Sequence, residues 1–312
     1  MTTMAAQSEA WPELNYAEWR DTLYGLHMRT QIVGKIRLAK SPWVNHSWHV
    51  PLYPTARGLT SSLIADGLRQ FQIDFDFINH RVIVENSDGG TRSVLLRAQS
   101  VAAFYAELMT ALEQLNLRIH IVGVPNEVSD PIPFRDDRQD RPYDRDAVHR
   151  FWRALLQANR LLGEFRAGFC GKCSPVHFFW GSFDLAVTRF SGRTAPPHPG
   201  GVPNLPDAVA REAYSHEVSS AGFWPGGGLV DQAAFYSYAY PTPAAFKSQP
   251  IAPAEAFFHD DLGEFLLPYA VVRRAPDPDA LVRQFLASTY AAAADTAGWD
   301  RAALERPARP PV

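Results

Sequence analysis

The sequence predicts an α+β fold: two duplicated halves, each a helix, an antiparallel sheet and a second helix, packed as a pseudo-twofold pair. Three observations predict it. Apolar residues recur at helical spacing at the ends of each half and alternate with polar residues in between. The turn signals are those of hairpins. The chain also resembles itself at long period: Trp19 aligns with Trp152 (152 − 19 = 133), and Lys40, Val44, Trp48 and Arg57 align with Lys172, Val176, Trp180 and Arg189 (172 − 40 = 132). Self-similarity at that period means paired domains, not a solenoid.

The elements follow in order. Residues 16–33 read as an amphipathic helix with Trp19, Leu23, Leu26 and Thr30 on one stripe. A strand is expected around 48–55. Phe71, Ile73, Phe75 and Phe77 alternate with Gln72, Asp74 and Asp76, the pattern of a half-buried strand. Residues 81–86 return from it, and Ser87-Asp88-Gly89-Gly90 turns into a strand over 92–96. Ser100 caps a helix that carries Val101, Phe104, Leu108 and Leu112. In the second half a helix is expected over 146–166 and strands near 175–189, 213–219, 235–240 and 264–269. A final helix starts at Pro278. The expected organisation is an N-terminal half over 11–128, a linker over 129–144, a C-terminal half over 145–300 and a tail over 301–312. The loops over 194–206 and 241–253 are long enough to be functional.

The composition, 46% hydrophobic and 12% aromatic in 312 residues, can fill a sizeable core. A net charge of −3 exerts no pull on nucleic acid or an anionic membrane, so neither is expected as a partner. No apolar run approaches the roughly 18–20 residues of a membrane span, and residues 1–10 lack a signal-peptide core. The expectation is a cytoplasmic protein. Cys170 and Cys173 form a lone Cys-x-x-Cys. A structural zinc needs about four ligands, so free thiols are expected.

Chemistry is expected in residues 171–193, where Lys172, Cys173, His177, Asp184 and Arg189 interrupt a run that reads as buried strand. Polar groups there must be satisfied or serve a site. With the 132-residue register extended along a single strand, His177 shares a face with the equivalent of His49, and with Arg189, while Asp184 and Trp180 point away. The candidate set is His177, His216 and Glu217 for catalysis, and His49, Arg57, Lys172, Asp184, Arg189 and His198 for substrate. His216 and Glu217, adjacent in a strand, face opposite ways, so at most one joins any one site. A divalent metal is the candidate cofactor, held by His49, His177 and His216, since about three protein donors would be required. The bland readings are a hydrogen-bonded core histidine for His177 and a structural ion pair or cap for Asp184 and Arg189. No nucleophile elbow, phosphate loop or dinucleotide fingerprint is present.

The same segment, with residues 45–53 (Asn-His-Ser-Trp-His-Val-Pro-Leu-Tyr), 55–60, 196–201 (Pro-Pro-His-Pro-Gly-Gly), 214–225 and 263–269, resembles the bacterial family catalogued as domain of unknown function 5996. The resemblance spans most of the chain and implies no activity. Two functional readings follow from the residues. One is a small-molecule-binding protein or enzyme with a histidine-lined pocket between the halves. The other is a non-catalytic interaction module that uses aromatic strands such as Phe235-Tyr236-Ser237-Tyr238-Ala239-Tyr240.

Overall fold

The computed structural model describes residues 9–307. The expectations for residues 1–8 and 308–312 lie outside the described residues. The fold is α+β, as expected, with helices packed on two antiparallel sheets.

Helix α1 (Tyr16–Lys40) is longer than its apolar stripe predicts. The reason is burial on almost every side: Leu26, Ile32, Val33 and Ile36 are fully buried, and so are Thr30 and Gln31. A helix surrounded by protein needs no polar face, so periodicity does not mark its end. Its charged Arg29 is buried as well. The guanidinium donates to the Arg97 carbonyl at 2.8 Å and lies over the Phe104 and Tyr143 rings. Burial lowers its pKa to about 10.

The first sheet is ordered β1 (Tyr53–Thr55), β2 (Gly58–Thr60), β4 (Arg69–Asp76), β5 (Arg81–Asn86) and β6 (Thr91–Leu95), with β3 (Ile64–Asp66) also paired to β4. Along β4 the alternation holds: Phe71, Ile73 and Phe75 are buried, and Gln72 and Asp74 are half-buried. Helix α2 (Val101–Gln114) begins at Ser100, whose hydroxyl accepts from the Ala103 N–H. The segment expected as a linker is packed. Phe134 and Asp137 are buried, and Arg141 pairs with Gln99 through the backbone.

Helix α3 (Arg145–Ala167) opens the second half. The second sheet contains β7 (His177–Phe179), β8 (Asp184–Thr194), β9 (His216–Trp224), β10 (Ala234–Tyr240), β11 (Phe257–His259) and β12 (Glu264–Pro268), ordered β11-β12-β10-β9-β8-β7. Helix α4 (Asp207–Ala213) precedes β9. Helices α5 (Tyr269–Arg274), α6 (Pro278–Thr296) and α7 (Arg301–Leu304) close the chain. The expected tail is not free at its start: α7 folds back, and the Cys170 N–H donates to the Leu304 carbonyl at 2.7 Å.

Two expectations fail here. The expected strand over 175–189 is two strands, β7 and β8, reversed at a turn where Phe183 has φ 60°. In addition, the 132-residue register pairs Asn45–Ser47, a 3-10 turn in which His46 and Ser47 have positive φ, with the strand β7. Face equivalence read from that register therefore does not hold. Duplication of the chain remains a proposal carried by sequence self-similarity.

The two sheets are tied at one point. Leu52, just before β1, and Phe178 in β7 exchange both backbone hydrogen bonds at 2.9 Å, and the Trp180 indole donates to the Val50 carbonyl at 2.9 Å. One hydrophobic cluster runs through both halves, from Leu26 and Phe75 to Phe223 and Phe285. Phe178, fully buried at this joint, should cost about 3–5 kcal/mol when replaced by Ala. Urea unfolding of that variant and of the parent, followed by tryptophan fluorescence and circular dichroism, should give one coincident transition in each. Two resolved transitions in the parent would contradict a shared core.

Candidate functional site

One face of the second sheet packs on α3 and α6; the other is the floor of a cavity of about 640 Å³. Alternation along β8 places Asp184, Ala186, Thr188 and Phe190 on the floor and sends Leu185, Val187 and Arg189 to the opposite side. The floor also takes His177 and Phe179 from β7, Val218 and Ser220 from β9, and Tyr236 and Tyr238 from β10. The first half supplies the far wall: Lys35 near the end of α1, the turn with His46 and Trp48, and the strip 122–127. Residues 202–214, including α4, cover the top.

The sequence-predicted residues fall into distinct places. His177 and Asp184 line the same cavity, so the opposition of their faces is a misreading. Alternation counted through residues 180–183 as strand inverts every face beyond the turn. Arg189 leaves the site. Its guanidinium sits over Phe165, Phe169 and Tyr290 and donates to the Phe165 carbonyl, a structural cage beneath the sheet. Arg57 lies on the first sheet, where it holds Asp76 at 2.9 Å. Glu217 is turned away and pairs with Arg193 at 2.6 Å. His216, on the other face of β9, stands 6.0 Å from the His46 ring at the cavity's rim. His49 bonds through Nδ1 to the Val44 backbone and packs on Trp43. It does not line the cavity. His198 stacks on Tyr214 in the covering loop, at 4.7 Å between ring centroids. Lys172 donates from Nζ to His46 Nε2 at 2.6 Å and lies over the Trp48 and Phe190 rings. The His46 Nδ1–H in turn donates to the Ala213 carbonyl at 3.1 Å. His49, His177 and His216 do not converge, and among the described residues no three His, Cys, Asp or Glu side chains are placed to hold a metal ion. Both cysteines are free, and burial pushes the Cys173 thiol up to about 11.

Sequence reasoning missed the acidic end of the cavity. Asp184 is buried, and its carboxylate accepts from the Ser182 and Tyr236 hydroxyls. Tyr236 reaches it by crossing Gly222, where a Cβ would collide with the phenol. Glu127, on the strip from the first half, brings its carboxylate against Gly181, another position at which a Cβ would collide. Glu264, at the start of β12, lies outside the cavity lining but within electrostatic reach of Asp184. Burial, reinforced by Asp184, raises Glu127 and Glu264 to about 7. Asp184 is itself raised by burial, against the pull of its two hydroxyl donors. The Tyr214 and Tyr238 hydroxyls bond at 2.9 Å, as do those of Thr188 and Ser220. Of this set only Asp184 carried a signal in the sequence, a carboxylate in an apolar run. Glu127 lies in an aperiodic stretch, and Tyr236 and Tyr238 read equally well as an exposed strand.

His177 is 1% exposed and leans on Trp48, Tyr53 and Phe179. Burial lowers its pKa to about 3, so the ring is neutral at physiological pH. Neither ring nitrogen has a protein partner. That excludes a core histidine held by hydrogen bonds to its neighbours.

The fold is α+β, with a partly open cavity lined by aromatic and acidic side chains from both parts of the chain. The chain belongs to the family of unknown function DUF5996, whose model matches residues 11–306. Comparison with curated proteins and with solved structures gives no match.

The raised carboxyls set a sign. Glu127 takes a proton near 4.5 ordinarily and near 7 in the fold, so its contribution to stability is full below about 4.5 and is lost as pH rises through about 7. His27 and His177, lowered by burial to about 4 and about 3, act oppositely and lose their contribution as pH falls. A difference measurement separates them. The melting temperature of Glu127→Gln relative to the parent should rise progressively from about pH 5 to about pH 8. A difference that stays flat would show that Glu127 holds no extra proton.

Proposed function

We propose that the chain is a small-molecule-binding protein and that the cavity between the halves is its site. The observation that carries this reading is a mostly apolar cavity of ligand size lined by Asp184, Glu127 and His177, with both His177 ring nitrogens unpartnered. Cavities of roughly 300–1,000 Å³ with apolar walls and a few convergent polar groups are the usual form of ligand sites. Binding in the cytoplasm, as the sequence suggests, is part of the same proposal. So is a role for His177 and Asp184 as ligand-contacting groups, with His46 and Lys172 at the opposite wall.

A catalytic reading is favoured by one further observation. Glu127 and Glu264 exchange protons near neutral pH, which suits general acid–base work. The interaction-module reading loses its motive, because Tyr236 and Tyr238 face the cavity and stack on each other at 6.1 Å.

The test is to fill the cavity. Ala186 is buried on the floor beside His177, its register partner. Ala186→Phe should leave the circular dichroism spectrum unchanged. It should also abolish the melting shifts that a metabolite library produces with the parent protein, shifts of a few degrees at saturating ligand. Shifts that persist in Ala186→Phe would place binding elsewhere.

A further inference from the structure

We propose that the ligand of this cavity is an organic cation, a protonated amine seated between Asp184 and Glu127, with a hydroxyl or carbonyl group that reaches His177. The inference rests on the cavity being the binding site and names the class of ligand it takes.

The first argument is charge balance. Asp184, Glu127 and Glu264 stand close enough for Asp184 to raise both glutamates. Among the described residues none of the three is ion-paired with Lys, Arg or His. Lys35, the one Lys or Arg of the cavity lining among the described residues, is engaged with the Asn126 side chain and lies over the Trp180 ring at 5.7 Å. Asp184 is satisfied by two neutral hydroxyls, whereas among the described residues no side chain donates a hydrogen bond to the carboxylate of Glu127. Buried carboxylates without a counter-charge are costly, and a cation between them repays that cost.

The walls suit the same guest. Trp180, Tyr236 and Tyr238 line the acidic end, and aromatic faces attract alkylammonium groups while excluding water. A metal ion fits poorly, because no three donor side chains are placed for one among the described residues.

The second, independent observation is His177. A neutral imidazole offers one N–H and one lone pair; both are unpartnered, the residue is 1% exposed, and it lines this cavity. In the β7–β8 ladder His177 is opposite Ala186, and Phe179 is opposite Asp184. His177 and Asp184 are thus diagonal neighbours on one face, about 7–8 Å apart. A ligand touching both carries its amine and its hydrogen-bonding group several bonds apart. Burial, with the positive charges of Arg37 and Arg166 in support, holds the His177 ring neutral, so that end favours a neutral polar group over a second cation.

The experiment uses the full chain and three matched probes: tyramine, its alcohol isostere tyrosol, and the corresponding phenolic carboxylic acid. Calorimetric titration near neutral pH should show tyramine binding at least about tenfold more tightly than either isostere. Glu127→Gln, folded by circular dichroism, should weaken tyramine about thirty-fold or more and narrow its advantage over tyrosol. His177→Phe should weaken tyramine and tyrosol alike. Ala186→Phe should remove binding of all three. If tyrosol or the acid binds as well as tyramine and Ala186→Phe removes that binding, the cavity stands as the site and the cation inference is overturned. If none of the probes binds, the cation inference also fails. If tyramine binding survives Ala186→Phe, the cavity itself is not the site and both readings fall.

Discussion

The architecture depends on one short backbone exchange, the Leu52–Phe178 pair that ties the first sheet to the second. These hydrogen bonds lie in a dry joint, where a broken pair leaves donors and acceptors that water cannot reach. The Trp180 indole, bonded to the Val50 carbonyl, locks the same junction from the side-chain level. The turn that lines the cavity from the first half is placed by it. The turn with His46 and Trp48 is held above β7 and β8 because the chain immediately downstream is paired to β7. The strip that carries Glu127 is anchored from α1, where Gln31 bonds the Asn126 backbone at both its N–H and its carbonyl.

The cavity is polarised. One end collects carboxyl groups and phenols; the other holds the neutral His177 and the Lys172–His46 pair. Burial acts on both ends in the same way, because it opposes charge. It raises the acids and lowers the bases, so the empty cavity is less charged at neutral pH than its residue list implies. Glycine at 181 and 222 is the local device that lets Glu127 and Tyr236 close on Asp184, since a Cβ at either position would fill the approach.

Much of the frame was legible. The alternation along β4 and the Ser100 cap each rest on a period or a local hydrogen bond that a sequence displays directly. Within residues 171–193, Asp184 and His177 both reach the cavity. The faces were not legible. Phe183 turns the chain with a positive φ and no glycine to announce it, so a hairpin read as one strand and reversed Asp184 with Arg189. The length of α1 was hidden by burial of its polar residues. Glu127 was invisible because its raised pKa comes from burial in the fold, reinforced by Asp184 far along the chain, and a lone glutamate in an irregular stretch reads as solvated surface.

The account turns on the claim that the acidic end holds protons that ordinary carboxyl groups would have released. Infrared spectroscopy of the ligand-free protein near neutral pH reads this directly, through the carbonyl stretch of protonated carboxylic acids, which is separate from that of carboxylates. The account predicts a protonated-carboxyl band near pH 7 that fades as pH rises further and shrinks in Glu127→Gln, since Glu127 and Glu264 are half-protonated at about 7. A spectrum near pH 7 with carboxylate bands alone would contradict it.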